Sequence, residues 1–216
     1  IGFVQDADAD RLVILDESGH FIGEDYSLAL CIDYVLGYEE KSTPNKQVVV
    51  NLSTSNVIRY ICEKHQAQLH HTKIGEPNVT AKLKELSATV GGEGNGGVIY
   101  PKIGWGRDSL VGIVLALKHL AETKKTVSKI VATYPKFVML RDKFKVNNHN
   151  EVNSFLEKVE TKYSQYEQNK EDGVKVLFED SWLHVRPSNT EPIVRVFIEA
   201  PSHTQAEDIK LDLTVS

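Results

Sequence analysis

Gln47-Val48-Val49-Val50-Asn51-Leu52 is a short apolar run, and together with the segment after it this stretch decides the fold. Thr54-Ser55-Asn56 is a turn with helix-capping chemistry, and Val57 to Gln66 sets its apolar residues at helical spacing. Gln68 to Ile74 reads as a second strand, completing a β-α-β crossover and predicting a mainly parallel sheet. Downstream, Gly75-Glu76-Pro77-Asn78 turns into a helix from about Val79 to Leu86, and Thr89-Val90 and Val98 to Tyr100 are very short strands. Asp108 caps a strong helix through Leu120. Upstream, Glu24 to Leu36 is a helix with a broad apolar surface that ends near Gly37, and Tyr38 to Lys46 is a polar linker.

At Thr123-Lys124-Lys125-Thr126 charge and small polar residues replace the apolar pattern, and a domain boundary is expected there. Beyond it Pro135 to Val146 reads as a strand, Asn150 to Tyr163 as a helix, and Val174 to Phe178 and Trp182 to Val185 as strands around an acidic turn. Ile193 to Glu199 is a further strand and His203 to Leu211 a helix. The expected fold class is an α/β domain with a mainly parallel sheet, followed by a smaller α+β domain with an antiparallel sheet.

With 216 residues and 41% hydrophobic content, the chain can bury a sizeable core and hold two domains, or one and parts of others. A net charge of −5, from 25 basic and 30 acidic residues, gives no footprint for nucleic acid or an anionic membrane. Phosphorylated small molecules need only local positive charge. No apolar run approaches the ~18 residues of a membrane span. Cys31 and Cys62 fall in helix-like segments and read as buried thiols of a reducing cytoplasm, although two cysteines also permit a bridge. Ile1 to Gln5 already reads as the inside of a strand, with no initiator methionine, so the chain is expected to be a fragment of a longer polypeptide whose upstream part is missing.

That first strand runs into Asp6-Ala7-Asp8-Ala9-Asp10-Arg11, and Arg11 to Asp16 returns as its hairpin partner. Three carboxylates within five residues repel one another unless a cation sits among the oxygens, and hard divalent ions such as Mg2+ accept such oxygens. Arg11 can present a fork of donors to a phosphate beside the metal. An EF-hand loop would place Glu17 as its last ligand, but it needs glycine where Arg11 stands and helices where the flanks are β-like. A solvated acidic turn is the bland alternative.

Gly91-Gly92-Glu93-Gly94-Asn95-Gly96-Gly97 satisfies G-x-G-x-x-G read literally. No helix opens at the last glycine, and Glu93 would repel phosphates, so the dinucleotide reading fails. Glu93 can accept from two adjacent sugar hydroxyls, and Asn95 can donate and accept. A plain glycine turn is the structural alternative. In Arg186-Pro187-Ser188-Asn189-Thr190-Glu191-Pro192, Arg186 offers a bidentate fork, Ser188 and Thr190 hydroxyls and Asn189 an amide, a set suited to phosphate. The prolines stiffen both ends, and a structural turn is the alternative here too.

These three loops, in this order, resemble the α-D-phosphohexomutase family, which includes phosphoglucomutases, phosphomannomutases and phosphoglucosamine mutases. Thr72 to Val79, with Gly91 to Pro101 and Gly106-Arg107-Asp108, resembles in particular the archaeal and Bacteroidetes-like branch often called phosphoglucosamine mutase. The resemblance implies a four-domain enzyme in which a phosphoserine exchanges its phosphoryl group with a hexose phosphate through a bisphosphorylated intermediate. It implies Mg2+ held by Asp6, Asp8 and Asp10, with Arg11 touching the phosphoryl group. It places Glu93 and Asn95 in a sugar-selecting loop, and Arg186, Ser188, Asn189 and Thr190 around the non-reacting phosphate. Residues 1–23 would end the second domain, 24–125 form the third and 126–216 the fourth.

Ala7 and Ala9 stand where the family commonly has glycine, and Asn95 where many relatives have serine. Glu76 stands close to where several relatives carry a proposed acid/base group, and can either fill that role or cap a helix. None of Ser18, Ser27, Ser53 or Ser55 has the surroundings of the family's serine loop, so the chain alone is expected to be inactive. A non-catalytic sugar-phosphate-binding protein is the rival reading, and a Glu/Asn loop serves glucosamine, glucose and mannose alike.

Overall fold

The computed structural model describes residues 1–146, 149–188 and 193–214. It divides into two compact units, Ile1–Pro135 and Lys136–Ser216.

In the first unit, β1 (Gly2–Gln5) and β2 (Leu12–Leu15) form the expected antiparallel hairpin around the acidic turn. Leu12 and Ile14 alternate inward and pack with Leu30, Ala116 and Val127. Helix α1 (Glu24–Tyr34) continues as a π-turn through Val35–Glu39 rather than ending at Gly37; Glu40 N–H reaches Val35 O at 2.7 Å, and Tyr34 and Tyr38 stack 5.4 Å apart.

Strand β3 (Gln47–Asn51) pairs in parallel with β4 (Gln68–Thr72) on one side and β5 (Val90–Glu93) on the other. Antiparallel β6 (Gly97–Ile99) joins β5, so the sheet is mixed and runs β4-β3-β5-β6. The glycine-rich segment read as a loop is therefore a β-hairpin whose turn is Gly94 to Gly96. The crossover helices are α2 (Val57–Lys64) and α3 (Glu76–Leu86). Val79 and Leu83 of α3 pack on Val49 and Ile99, while Leu28 of α1 approaches Gly92 from the other face.

Helix α4 (Ser109–Thr123) starts at Asp108, whose carboxylate accepts from Leu110 N–H at 2.8 Å and Val111 N–H at 3.0 Å. A short helix, α5 (Val127–Val131), follows the expected boundary at Thr126 and buries Val127 and Ile130. The compact division therefore falls at Pro135, because α5 contributes to the first unit's core.

The second unit is a five-stranded antiparallel sheet in the order β7 (Val138–Lys145), β11 (Ile193–Ala200), β10 (Trp182–Pro187), β9 (Val174–Leu177) and β8 (Glu167–Asn169). Helices α6 (His149–Lys162) and α7 (His203–Thr214) complete it. Val152, Val159 and Tyr163, with Ala206 and Leu213, cover Val174, Val176, Leu183, Val185, Val194, Val196 and Ile198. The α/β unit followed by an α+β unit is the fold class expected from the sequence. No helix among the described residues is long and apolar enough to cross a membrane. Cys31 and Cys62 are buried free thiols, both pushed up to about 12 by burial.

Candidate functional site

Parallel strands β3, β4 and β5 release their chains at one end of the sheet; the crossover through α2 leads from β3 to β4 on one side, and the crossover through α3 leads from β4 back past β3 to β5 on the other. Binding groups in open α/β sheets collect outside such carboxyl ends. Asn51 closes β3, Gly75 follows β4 and Glu93 closes β5, and all three meet here. Glu93 Oε1 accepts from Asn51 Nδ2 at 2.8 Å and from Gly75 N–H at 2.9 Å. Thr54 Oγ1 donates to Asn51 Oδ1 at 3.0 Å and accepts from Gly94 N–H at 3.1 Å. Glu93 is 2% exposed, so its carboxylate is fixed before any ligand arrives.

The acidic turn lies beside this edge. Leu12 N–H donates to Gly96 O at 3.1 Å, and Ser109 Oγ donates to Ala9 O at 2.6 Å. Gly96 has φ 88° and a Cβ there would overlap Leu12 O, so both backbone sign and space call for glycine. One carboxylate oxygen from each of Asp6, Asp8 and Asp10 lies within 4.8 Å of the others. Asp6 Oδ1 accepts from the backbone N–H groups of Asp10 and Arg11, and Arg11 Nε donates to Asp6 Oδ2. Burial opposes ionisation of Asp6, but the Arg11 hydrogen bonds outweigh it and hold the carboxyl well below its usual range. Burial, reinforced by Asp8 and Asp6 and opposed by Arg107, pushes Asp10 up.

Asp10 Oδ1 is buried and has no hydrogen-bond partner. Arg11 Nε stands 3.6 Å from it, beyond hydrogen-bond reach, and a buried carboxylate oxygen with no hydrogen bond beside two further carboxylates is a set of oxygens that suits a hard divalent cation. The residues fit Mg2+. Ala9 takes φ 58°, so the turn does enter the left-handed region where the resemblance expects glycine. Glu17 lies apart from this cluster: its carboxylate accepts from Ser128 Oγ and, at 3.3 Å, from Ser128 N–H, which hold it to about 2. With strands on both flanks of the turn, the EF-hand alternative falls.

One residue of the site was not singled out from the sequence. Arg107 precedes the Asp108 cap and splits its guanidinium among three carboxylates: Nη1 to Glu93 Oε2 at 2.6 Å, Nε to Glu76 Oε2 at 3.1 Å, and Nη2 to Asp10 Oδ2. The available signal was an arginine immediately before a helix cap, in a stretch that also carries the family resemblance. Glu76 opens α3 without making a side-chain cap, so its carboxylate serves Arg107. Asn95 Oδ1 accepts from Gly97 N–H at 3.1 Å within the hairpin turn.

In the second unit, Arg186 is the penultimate residue of β10 and is 7% exposed, with Nε 3.2 Å from both oxygens of Asp172. Ser188 N–H donates to Ile193 O at 3.0 Å, closing the β10–β11 connection. Asn189 and Thr190 lie outside the described residues.

The first unit thus joins a carboxylate triad to a glycine-rich hairpin beside the carboxyl ends of a parallel sheet, and an α+β unit follows it in the chain. The chain belongs to the phosphoglucomutase/phosphomannomutase family. Residues 23–137 match its alpha/beta/alpha domain III and residues 138–214 its C-terminal domain. A phosphoglucomutase/phosphomannomutase of Thermococcus kodakarensis is 36% identical over 209 residues, covering 96% of this chain and 44% of the relative. A phosphoglucosamine mutase of Methanocaldococcus jannaschii is 29% identical over 211 residues, covering 97% and 46%. The chain thus spans about half the length of these relatives. The crystal structure of a phosphoglucomutase/phosphomannomutase family protein from Burkholderia thailandensis superposes with a TM-score of 0.80 at 26% identity, covering 98% of this chain and 44% of that one. An Aspergillus fumigatus N-acetylphosphoglucosamine mutase, solved with GlcNAc-6P and magnesium, shares the fold at TM-score 0.70 and 18% identity, over 98% of this chain and 47% of that one.

Proposed function

We propose that the chain is the C-terminal part of a Mg2+-dependent phosphosugar mutase that interconverts hexose 1- and 6-phosphates in the cytoplasm. The observation that carries this reading is the joining of the Asp6, Asp8 and Asp10 turn to the Glu93 hairpin through Arg107. The nucleophilic phosphoserine, which passes its phosphoryl group through a bisphosphorylated sugar, is assigned to another part of the parent polypeptide. In this reading residues 1–23 are the end of the parent's second domain.

Asp6, Asp8 and Asp10 would hold Mg2+, which supplies a Lewis acid to the transferring phosphoryl group. Arg11, half exposed at the turn, donates to that group's oxygens. Glu93 and Asn95 orient the sugar through its hydroxyls. Glu93 Oε1 already accepts two donors, so Oε2 is the oxygen left to take a sugar hydroxyl beside Arg107. Arg186 and Ser188, with Asn189 and Thr190, grip the non-reacting phosphate. Positioning and charge stabilisation are what phosphoryl transfer asks of a protein.

Adding glucosamine 6-phosphate with Mg2+ to the isotope-labelled chain is expected to shift the backbone amide signals of Gly94 to Gly97. Shifts confined to residues elsewhere would remove the sugar-binding assignment.

A further inference from the structure

Arg107 holds three carboxylates that belong to three separate elements: Asp10 in the β1–β2 turn, Glu76 at the start of α3 and Glu93 at the end of β5. Its side chain is 18% exposed, and each of its three nitrogens donates to a different acid. One positive charge is therefore divided among three negative ones. Whatever neutralises one of these acids shifts the guanidinium's charge onto the other two.

The place it occupies exists only because position 97 has no side chain. A Cβ on Gly97 would overlap Arg107 Cδ, and Gly97 lies outside the left-handed region, so space and not backbone conformation calls for glycine. The close approach lets the guanidinium lie between the acidic turn and the hairpin.

We propose that Arg107 is a positioning residue that couples cation binding at Asp6, Asp8 and Asp10 to the state of the Glu93 carboxylate. This rests on the metal reading of the acidic turn given above. While the Glu93 carboxylate takes its share of Arg107, Asp10 keeps charge for a cation. When the Glu93 charge is removed, Arg107 commits to Asp10 and competes with the cation for it. Such linkage is reciprocal, so a cation on Asp10 in turn frees Arg107 to fix Glu93.

The test is a double-mutant cycle read in Mn2+ affinity by calorimetry, with no turnover involved. Glu93→Gln is expected to weaken Mn2+ binding about 5-fold or more in the presence of Arg107, and less than about 2-fold in the Arg107→Gln background. Gly97→Ala alters no charge but displaces the guanidinium, and should remove the coupling in the same way. Arg107→Lys restores charge without the fork, so it is expected to recover thermal stability and not the coupling. An equal effect of Glu93→Gln in both backgrounds overturns the coupling while leaving the metal site standing. Failure of the unaltered chain to bind Mn2+ overturns the metal reading and this inference together.

Discussion

Arg107 Nη1 donates to Glu93 Oε2 at 2.6 Å, and both side chains are largely removed from solvent. Glu93 also receives Asn51 and Gly75, so its single carboxylate holds together the carboxyl ends of β3, β4 and β5. Glu93→Gln replaces one accepting oxygen by a donor that faces Arg107 or Asn51. A loss of roughly 1.5–3 kcal/mol is expected in urea denaturation of the chain, the size of a charge-assisted hydrogen bond. Unchanged stability would mean that the carboxylate does not organise the sheet edge.

Arg186→Ala removes a guanidinium paired with Asp172. Phosphosugar affinity should fall by roughly 1.5–3 kcal/mol in calorimetry, because a charge-assisted fork is lost. A Ser188→Ala variant keeps the Arg186–Asp172 pair and should weaken binding by about 1 kcal/mol. Unaltered affinity in both variants would remove the phosphate assignment.

Ala9 and Ala7 should respond oppositely to glycine. Ala9 sits at φ 58°, a conformation that costs an L-residue about 1–2 kcal/mol, whereas Ala7 is outside that region. Ala9→Gly is expected to leave stability unchanged or raise it by up to about 1 kcal/mol, and Ala7→Gly to lower it by about 0.5–1 kcal/mol. The opposite ranking in urea denaturation would contradict the turn geometry.

Acid should act through Asp33 and His119. Burial opposes ionisation of Asp33, yet His65, Lys64 and Tyr134 outweigh it and hold its carboxyl well below the usual range. A depressed carboxyl pKa contributes stability that is fully present above its unfolded value of about 3.9 and is lost as pH falls through the folded value. Burial also lowers His119, so folding resists its protonation and stability begins to fall as pH drops below about 6.5. Asp33→Asn should cost on the order of 3 kcal/mol at neutral pH and flatten the strongly acidic limb of the stability profile. An unchanged profile would exclude Asp33 as its source.

Long periodic elements were legible in the sequence because their patterns are local. The run Gln47 to Ile74 gave β3, α2 and β4, and Asp108 gave the start of α4. Short elements were not. Helix α5 spans only Val127–Val131, too few residues to show a period, and β8 is the polar run Glu167–Asn169. Strand β8 is tied to the end of α6 by Gln168 Nε2, which donates to Glu160 O and Tyr163 O, contacts no strand pattern announces. The three aspartates, the glycine-rich segment and the Arg186 segment stood out because each concentrates its chemistry in a few residues. Arg107 did not, since its role depends on acids 97, 31 and 14 residues away that meet only in the folded unit.

Metal dependence should be visible at the acidic turn itself. Asp8→Asn in the full-length parent removes one of the three convergent carboxylates and is expected to cut Mg2+-dependent turnover at least about 10-fold, with Mg2+ affinity reduced in parallel. Wild-type turnover in the variant would mean that Asp8 is not a ligand.

The most direct test of the functional account is turnover by the full-length parent on the 1- and 6-phosphates of glucosamine, glucose and mannose, with and without Mg2+. The account predicts interconversion of at least one pair that requires Mg2+. Absence of conversion for all three sugars in the presence of Mg2+ would contradict it.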